Sequence, residues 1–535
     1  MTPPFTVSLV CDSLNAIQTR RVQEWTRRKI ALKNFLLPTL VFLCGAATMG
    51  VEMGASRLLR PFFGDSILVW ANIIGLILIY LTLGYYLGGR WADRDPRAVT
   101  LYRIIAVAGF AIGVLPYLAR PFLQLAIPAL ETFDAGLGFA SFAGSLVLFV
   151  LPVTLLGCVS PFAIRISTRA VASSGTTAGK LYALSTAGSI VGTFGSVFVL
   201  FQVFGTRGTF LAFSLTLLIG AVAGIAREWS IVRAWKYLAL LIAIALLAAL
   251  GSSGGVKAAP GLVYETESPY NYIQVIDDPN GWRLLTVNEG QAYQSAYRAD
   301  RVLTGGIWDL FLIAPYFATP DAPRNLLMIG LAAGTTAREY SLVHHALPID
   351  GVELDPAIIA VGQEYFGMTQ PNLRAVADDG RKFLQTRAGQ YDVIAIDAYR
   401  QPYIPFHLTT VEFFRAAHAH LTPHGVVALN AARAPRDYRL ADALAATMRQ
   451  VFPTVYLIDH PNDANTLIVA TFAPTTLADF HARAAQLTDP NLRIVAAQAL
   501  PRARLATQDT PVFTDDHAPV ENLINDIILR YALGN

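Results

Sequence analysis

The sequence predicts three parts in order: a multi-pass α-helical membrane domain, a small β-domain and an α/β Rossmann-like domain. Three observations lead to this fold class. Of the 535 residues, 54% are hydrophobic and only 15% are charged, and the long apolar runs lie in the first half. After residue 260, apolar and polar residues alternate as they do in β-hairpins. From Asn325 onward, short apolar runs alternate with helical patterns, as they do around a parallel sheet.

Seven apolar stretches in the first half are each close to the roughly 20 residues that a helix needs to cross a bilayer. They are residues 35–56, 67–89, 101–119, 137–163, 181–203, 208–226 and 234–250, of which the last is short. Residues 1–34 have no apolar core before a small-residue cleavage site, so we expect a retained cytoplasmic tail. The sequence thus predicts a multi-pass protein of the cell membrane, in contact with the lipid bilayer.

Basic residues predict the orientation of this domain. They are frequent before the first stretch and in the loops after the second, fourth and sixth stretches, and sparse in the alternate loops. By the positive-inside rule, the N-terminus is cytoplasmic. Seven crossings would place the C-terminal half outside, whereas six, with the short last stretch not crossing, would keep it in the cytoplasm.

The membrane domain carries one functional candidate and one alternative function. Glu52 lies inside the first apolar stretch, where a carboxylate is costly, and its alternative role is an interfacial pair with Arg57. Residues 84–94, GYYLGGRWADR, are similar to the short basic loop of major-facilitator transporters. A polyamine transporter, or a sensor whose soluble half binds a nucleoside without turnover, is therefore one alternative. Small residues spaced along 187–195 favour close helix packing.

The second half begins after a linker, GSSGGVKAAP, at residues 251–260. Residues 261–322 are expected to form the small β-domain, because Leu262–Val287 alternates around a turn at Asp277–Gly281. Residues 323–535 are expected to form the Rossmann-like domain. Its strands are predicted near residues 325–329, 349–354, 373–377, 392–396, 425–430, 453–458 and 466–471.

Glycines or carboxylates follow the first four of these strands. The first strand leads through Gly330 and Gly334 into a helix, an arrangement that brings backbone N–H groups and a helix dipole to a ligand. Glu353 lies at the end of the second strand, about 20 residues later, where Rossmann-like units bind ribose hydroxyls. Asp378, Asp379 and Gly380 follow the third strand, and Asp397 follows the fourth.

Five longer motifs extend over this half: VELDPAII at 352–359, DDGRKFL at 378–384, GQYDVIAIDAY at 389–399, IPFHLTTVEFF at 404–414 and TDDHAPVENL at 514–523. Together they resemble the polyamine aminopropyltransferases (spermidine synthases), specifically their membrane-fused relatives, over roughly Tyr264–Leu523. The resemblance implies a class I S-adenosylmethionine-binding fold, decarboxylated S-adenosylmethionine or S-adenosylmethionine as donor, and an amine acceptor such as putrescine. It also allows a homodimer, and it places the catalytic half in the cytoplasm, where such a donor is made.

Other ligand classes gain no support from the sequence. The net charge is only +3, which does not favour nucleic-acid binding. The three cysteines show no zinc spacing, and we expect no metal.

The resemblance also implies roles for individual residues. Asp397 matches the catalytic aspartate, which accepts a proton from the amine or orients it. Glu353 would bind the donor ribose, and Asp378, Asp379 and Gly380 would meet its adenine, while Gly330 and Gly334 permit close backbone approach. Asn271 and Gln294 would contact donor or amine, and Tyr270, Tyr293 and Tyr297 would line the acceptor channel. His407 would either join the site or stabilise its loop.

Two departures from the family leave the substrates open. Ala333 stands in the glycine turn where soluble spermidine synthases carry an aspartate, and Tyr399-Arg400-Gln401 stands where they carry a second aspartate near the amine. The loss of two carboxylates weakens the case for putrescine. Arg400, expected in the acceptor pocket, would favour an anionic acceptor or the carboxylate of intact S-adenosylmethionine. A methyltransferase dependent on S-adenosylmethionine is therefore a second alternative.

Overall fold

The first half of the chain is helical. The computed structural model describes residues 6–63, 67–131, 137–168, 170–250, 259–288, 290, 292–345, 347–400 and 402–532. Its first eight α-helices are α1 Thr6–Phe63, α2 Ile67–Arg94, α3 Ala98–Glu131, α4 Leu137–Gly157, α5 Val159–Ser167, α6 Ser174–Gly195, α7 Phe201–Glu228 and α8 Ile231–Leu250. Most of the predicted linker, residues 251–258, lies outside the described residues.

Five of these helical runs are long and apolar enough to cross a membrane by length and composition. They are Phe35–Phe63, Val69–Arg94, Ala98–Ala119, Gly144–Ser167 and Val171–Glu228, with Ala234–Leu250 as a shorter apolar helix. The predicted stretches 181–203 and 208–226 both fall in the 58-residue run Val171–Glu228. That run bends at Gly205, whose φ of 64° and ψ of −174° are not helical. The first helix also begins earlier than the first predicted stretch, at Thr6.

Glycines bring α1 and α6 into close contact. A Cβ atom on Gly188 would lie 2.0 Å from the Phe42 carbonyl oxygen, and one on Gly192 would lie 2.1 Å from that of Ala46. The Ser189 hydroxyl donates a hydrogen bond to the Gly45 carbonyl at 3.2 Å. The small residues in 187–195 therefore serve helix packing, as predicted. Glu52 is half-buried on α1.

A four-stranded antiparallel sheet follows residue 261. Its strands pair in sequence order and are β1 Leu262–Glu267, β2 Tyr272–Asp277, β3 Arg283–Val287 and β4 Tyr293–Tyr297. Asp278 shapes the turn between β2 and β3, because its Oδ1 accepts hydrogen bonds from the amides of Asn280 and Trp282, both at 2.8 Å. This sheet is the predicted small β-region.

The larger sheet has eight strands in the order β12-β10-β11-β9-β8-β5-β6-β7. These strands are β5 Leu326–Ile329, β6 Ile349–Glu353, β7 Leu373–Ala377, β8 Tyr391–Ile396, β9 Leu421–Ala432, β10 Thr454–Asp459, β11 Asn465–Thr471 and β12 Ala503–Leu505. Strands β5 to β9 pair in parallel, whereas β10, β11 and β12 pair antiparallel. All seven predicted strands are present, and the order reverses between β5 and β8, where ligands bind in such sheets.

Helices cover both faces of this sheet. They are α9 Ile307–Phe311, α10 Thr335–Val343, α11 Pro356–Tyr365, α12 Gly380–Thr386, α13 Val411–Ala419, α14 Arg439–Arg449, α15 Leu477–Ala484, α16 Pro490–Ala499 and α17 Val520–Ala532. Strand β5 is buried on both sides: Leu327 and Ile329 belong to one apolar core, Leu326 and Met328 to the other. Successive side chains of a strand point to opposite faces, so a continuous apolar run suits this position.

Candidate active site

The ends of β5 and β8 meet at a glycine that accommodates no side chain. Gly330 has a φ of 84°, and a Cβ atom there would lie 2.4 Å from the Asp397 carbonyl oxygen. The Asp397 amide donates to the Ile329 carbonyl at 2.9 Å, which joins the two strand ends. Gly334, with a φ of 88°, precedes the first turn of α10. The turn therefore needs glycine at Gly330 and Gly334 because their backbones are left-handed.

Glu353 lies at the end of β6 and faces this turn. Its Oε2 accepts a hydrogen bond from the Ala332 amide at 2.9 Å, and its Oε1 accepts one from the Asp355 amide at 3.1 Å. Burial raises the pKa of the Glu353 carboxyl to about 7, although both amides act to lower it. Near neutral pH this side chain therefore exchanges between a carboxylate and a carboxylic acid.

Asp378 and Asp379 follow β7. Asp379 begins α12, where its Oδ1 accepts from the Lys382 amide at 2.9 Å, and its Oδ2 lies 2.9 Å from His407 Nε2. The contact with His407 is the main reason that the pKa of Asp379 is lowered to about 2. Asp378 Oδ1 pairs with Lys382 Nζ at 2.7 Å. His407 thus joins the candidate site and also ties its own loop to α12.

Asp397 follows β8 and is held by side chains from two other segments. Its Oδ1 accepts a hydrogen bond from Asn430 Nδ2 at 2.8 Å, and Trp308 also bonds to its carboxylate. Burial raises the pKa of Asp397 to about 6, while these two bonds act to lower it. A carboxylate with a pKa near 6 is free to accept a proton at neutral pH.

A second bond fixes the Asn430 side chain. Its Oδ1 accepts a hydrogen bond from Asn465 Nδ2 at 2.9 Å, so its Nδ2 is left to point at Asp397. The Tyr399 hydroxyl donates to the Asn430 carbonyl at 3.0 Å and accepts from the Ala432 amide at 2.7 Å. The end of β9 is therefore locked beside Asp397.

Two cavities meet at Asp397, and both also contain Gln294 and Tyr399 in their walls. The first, here called the glutamate cavity, measures about 340 Å³ and contains Glu353, Asp379 and His407. The second, here called the tryptophan cavity, measures about 670 Å³ and contains Trp282 and Trp308. Asp397 is therefore accessible from two separate binding spaces.

The structure brings most of the predicted residues to these cavities. The glutamate cavity is lined by Gly330, Asp378, Gly380, Asn271, Tyr270 and Arg400 in addition to the residues named above. Tyr293 lines the tryptophan cavity. Asn271 is also held from both sides, because its Nδ2 donates to Asp355 at 2.9 Å and its Oδ1 accepts from Asn288 at 3.1 Å.

Three of the residues expected in the acceptor channel are absent from the wall of the tryptophan cavity. Tyr270 and Arg400 line the glutamate cavity and are absent from the wall of the tryptophan cavity. Tyr297 lines neither of these two cavities, and its ring lies 5.2 Å from the Arg338 guanidinium. A bulge explains this difference between Tyr293 and Tyr297: Thr286 pairs with Tyr293 but Leu285 with Ser295, so the alternation breaks at Gln294.

Several residues at the site were missed by the sequence analysis. Asn430 lies near the end of a predicted strand, which is the same signal that identified Asp397, and could have been found on that ground. Trp308 lies in the short helix α9, and Asp463 lies in the turn between β10 and β11. Neither has a sequence signal of this kind.

The sheet order, the glycine turn and the acidic residue at the end of β6 define a Rossmann-like domain. Residues 313–471 match the spermine/spermidine synthase domain. The chain therefore contains a spermine/spermidine synthase domain, and its homologues include polyamine aminopropyltransferases, which are transferases.

Three relatives show how far the similarity extends. A probable polyamine aminopropyl transferase of Bifidobacterium longum is 34% identical over 207 residues, which is 38% of this chain and 46% of the relative. The match thus spans less than half of that protein. A polyamine aminopropyltransferase 2 of Ralstonia nicotianae is 25% identical over 454 residues, covering 77% of this chain and 82% of the relative. A human eEF1A lysine and N-terminal methyltransferase is 29% identical over 198 residues, covering 34% and 26%.

Proposed function

We propose that this protein is a membrane-anchored aminopropyltransferase. It transfers the aminopropyl group of decarboxylated S-adenosylmethionine to an amine. The observation that carries the proposal is the position of Asp397, which lies in the walls of both cavities. A group transfer between two substrates needs such a junction, because the reacting atoms must be held together in an oriented pair.

The glutamate cavity suits the nucleoside donor. Its volume of about 340 Å³ lies in the range of small-molecule sites. The half-buried Glu353 is held by two backbone amides at the end of a central parallel strand, the position from which carboxylates bind ribose hydroxyls. Asp378, Asp379 and Gly380 line the same cavity and are proposed to meet the adenine.

The tryptophan cavity suits a cationic amine. Its lining contains the carboxylates Asp278, Asp397 and Asp463 and no Lys, Arg or His among the described residues. Trp282, Trp308 and other aromatic residues contribute ring faces that attract ammonium groups. An amine is therefore attracted to this cavity, where Asp397 can receive its proton.

The proposed reaction is a single displacement. Asp397 first accepts the extra proton of the substrate ammonium group, and the amine nitrogen then forms a bond to the aminopropyl carbon that is attached to the sulfonium. The carbon–sulfur bond breaks, its electrons go to sulfur, and methylthioadenosine leaves as a neutral thioether. The nitrogen keeps its two remaining protons, so the product leaves as a secondary ammonium ion, and Asp397 holds the proton that it received before the attack. With a pKa near 6, Asp397 can release this proton to water at neutral pH.

A methyltransferase remains the second candidate, because one observation favours an intact donor. Arg400 lines the glutamate cavity, where its guanidinium suits the carboxylate that intact S-adenosylmethionine retains. Ala333 stands in the glycine turn in place of a carboxylate, so this position does not repel the carboxylate of an intact donor. One human relative is named an eEF1A lysine and N-terminal methyltransferase.

One experiment separates the two candidates. The full-length protein, purified in detergent, is given either donor with putrescine, spermidine or a monoamine, and methylthioadenosine and S-adenosylhomocysteine are quantified. Aminopropyl transfer produces the first compound, and we expect Asp397→Asn to reduce it by on the order of 10²–10⁴-fold. Asp321→Asn, an exposed carboxylate in neither cavity wall, is the matched control. Release of S-adenosylhomocysteine alone would replace the proposal with a methyltransferase.

The location of the α/β domain is part of the proposal. Five long apolar helices are compatible with a membrane protein. We place the catalytic half in the cytoplasm, with the bend at Gly205 dividing Val171–Glu228 into two crossings and α8 not crossing. This orientation is tested by introducing single cysteines after residue 260 and labelling them in intact and in permeabilised cells. A homodimer, and a transport or sensing role for the membrane half, stay predictions.

A further inference from the structure

The turn between β10 and β11 forms part of the tryptophan cavity. Asn462, Asp463, Ala464 and Asn465 line the cavity, and the buried side chain of His460 supports the turn. His460 Nδ1 accepts a hydrogen bond from the Asp463 amide at 3.0 Å. The position of Asp463 is therefore fixed by a buried residue.

The two carboxylates of this cavity other than Asp397 differ in their availability. Both oxygens of Asp278 are used in its own turn, since Oδ1 accepts from two amides and Oδ2 accepts from Asn280 Nδ2 at 3.2 Å. Asp463 Oδ2 lies 3.0 Å from His460 Nδ1, but that nitrogen accepts a hydrogen bond from the Asp463 amide and so donates none to the carboxylate. Its side chain is 43% exposed, which leaves Oδ1 available for a ligand.

The nearby cations do not occupy this carboxylate. Arg433 and Arg504 pair with Asp459, at 3.9 Å and 2.7 Å respectively. Among the described residues, His460 is the one titratable group paired with Asp463, and burial lowers the pKa of that imidazole, so it is neutral at pH 7. Asp463 thus presents an unshared negative charge to the cavity.

We infer that Asp463 binds the second ammonium group of a diamine or polyamine acceptor while the first reacts beside Asp397. This inference rests on the proposed function, and it makes Asp463 a residue that determines specificity. Two hydrogen bonds, of 2.9 Å and 2.8 Å, link Asn465 through Asn430 to Asp397. Asp397 and Asp463 line the same cavity of about 670 Å³, so one diamine can place a nitrogen at each carboxylate.

The test compares a diamine with a monoamine of the same length. Full-length wild type, Asp463→Asn and Asp463→Glu are assayed with putrescine and with butylamine at saturating donor. Loss of one charge-assisted hydrogen bond raises KM about tenfold, so we expect that rise for putrescine in Asp463→Asn. The KM for butylamine and for the donor should not change, because neither needs the second carboxylate.

The glutamate variant adds a readout that a purely structural role would not change. Asp463→Glu keeps the charge but moves it by about one carbon–carbon bond, roughly 1.5 Å. The preferred diamine should therefore become shorter, with 1,3-diaminopropane gaining on putrescine. Asp321→Asn, outside the cavity, should leave every constant as in the wild type.

Each outcome decides the inference. An unchanged putrescine KM in Asp463→Asn, with turnover intact, overturns the anchor and leaves the proposed function standing. An equal rise of KM for putrescine and butylamine also overturns it, because the effect would then be structural. If the wild type transfers to no amine, the proposed function fails and the anchor fails with it.

Discussion

The hydrogen bond from Asn430 to Asp397 can be tested by replacing Asn430 with leucine. Leucine has a similar shape but no polar atoms, so Asp397 Oδ1 loses the donor at 2.8 Å. This bond lowers the pKa of Asp397 against the effect of burial. A hydrogen bond to a charged group contributes about 1.5–3 kcal/mol, and 1.36 kcal/mol corresponds to one pKa unit. We therefore expect the pKa of Asp397 to rise from about 6 by about one to two units.

The assay is the pH dependence of kcat/KM, which reports groups of the free enzyme and free substrate. In the wild type, the acid limb should include a group with a pKa near 6, because Asp397 accepts a proton only when it is ionised. In Asn430→Leu that limb should move upward by one to two pH units. The titration of the amine is common to both proteins, so the difference isolates Asp397.

Asn465→Ala is the matched control for this variant. It removes the donor to Asn430 Oδ1 without touching Asp397, and should move the acid limb by a smaller amount. An acid limb that stays in place in Asn430→Leu would show that Asn430 does not act on Asp397. An equal movement in both variants would show that the whole end of β9 has shifted.

Three further substitutions test the remaining parts of the site. Besides slowing transfer, Asp397→Asn should have a higher Tm than the wild type at pH values above 6, because a carboxyl whose pKa is raised on folding destabilises the folded state once it ionises; a lower Tm would contradict this. In the wild type, ionisation of Glu353 should make the donor KM, measured by initial rates, fall as pH rises through about 7; Glu353→Gln should raise this KM and remove the fall, and a retained pH dependence would assign it to another group. Gly330→Ala should lower the free energy of unfolding more than Gly305→Ala, since both have positive φ but only the former meets a carbonyl, at 2.4 Å; equal losses of stability would refute the clash.

The parts of the site that the sequence predicted are those fixed by strand topology. Glu353 ends a parallel strand, Asp379 and Asp397 each follow one, and the carboxyl ends of parallel strands meet at one edge of the sheet. The glycine turn is also predictable from the sequence, because left-handed backbones such as those of Gly330 and Gly334 favour glycine. These features depend only on local pattern and strand order.

The rest of the site depends on contacts that local pattern does not encode. Trp308 reaches the tryptophan cavity from the short helix α9 and Asp463 from the turn between β10 and β11, and their distance from Asp397 along the chain gives no sign of proximity. Tyr293 and Tyr297 have the same parity in a strand, so alternation predicts one face for both. The bulge at Gln294 places the two tyrosines differently, and no residue in that strand predicts the bulge.

The placement of Arg400 changes the interpretation of the residues after Asp397. In the sequence, Tyr399-Arg400-Gln401 replaces a carboxylate and weakens the case for a cationic acceptor. In the structure, Arg400 lines the glutamate cavity, whereas the tryptophan cavity keeps three carboxylates and no cation among the described residues. Under the proposed function, the replacement therefore leaves the acceptor an amine and acts on the donor side. Arg400 would then determine whether the donor may retain its carboxylate.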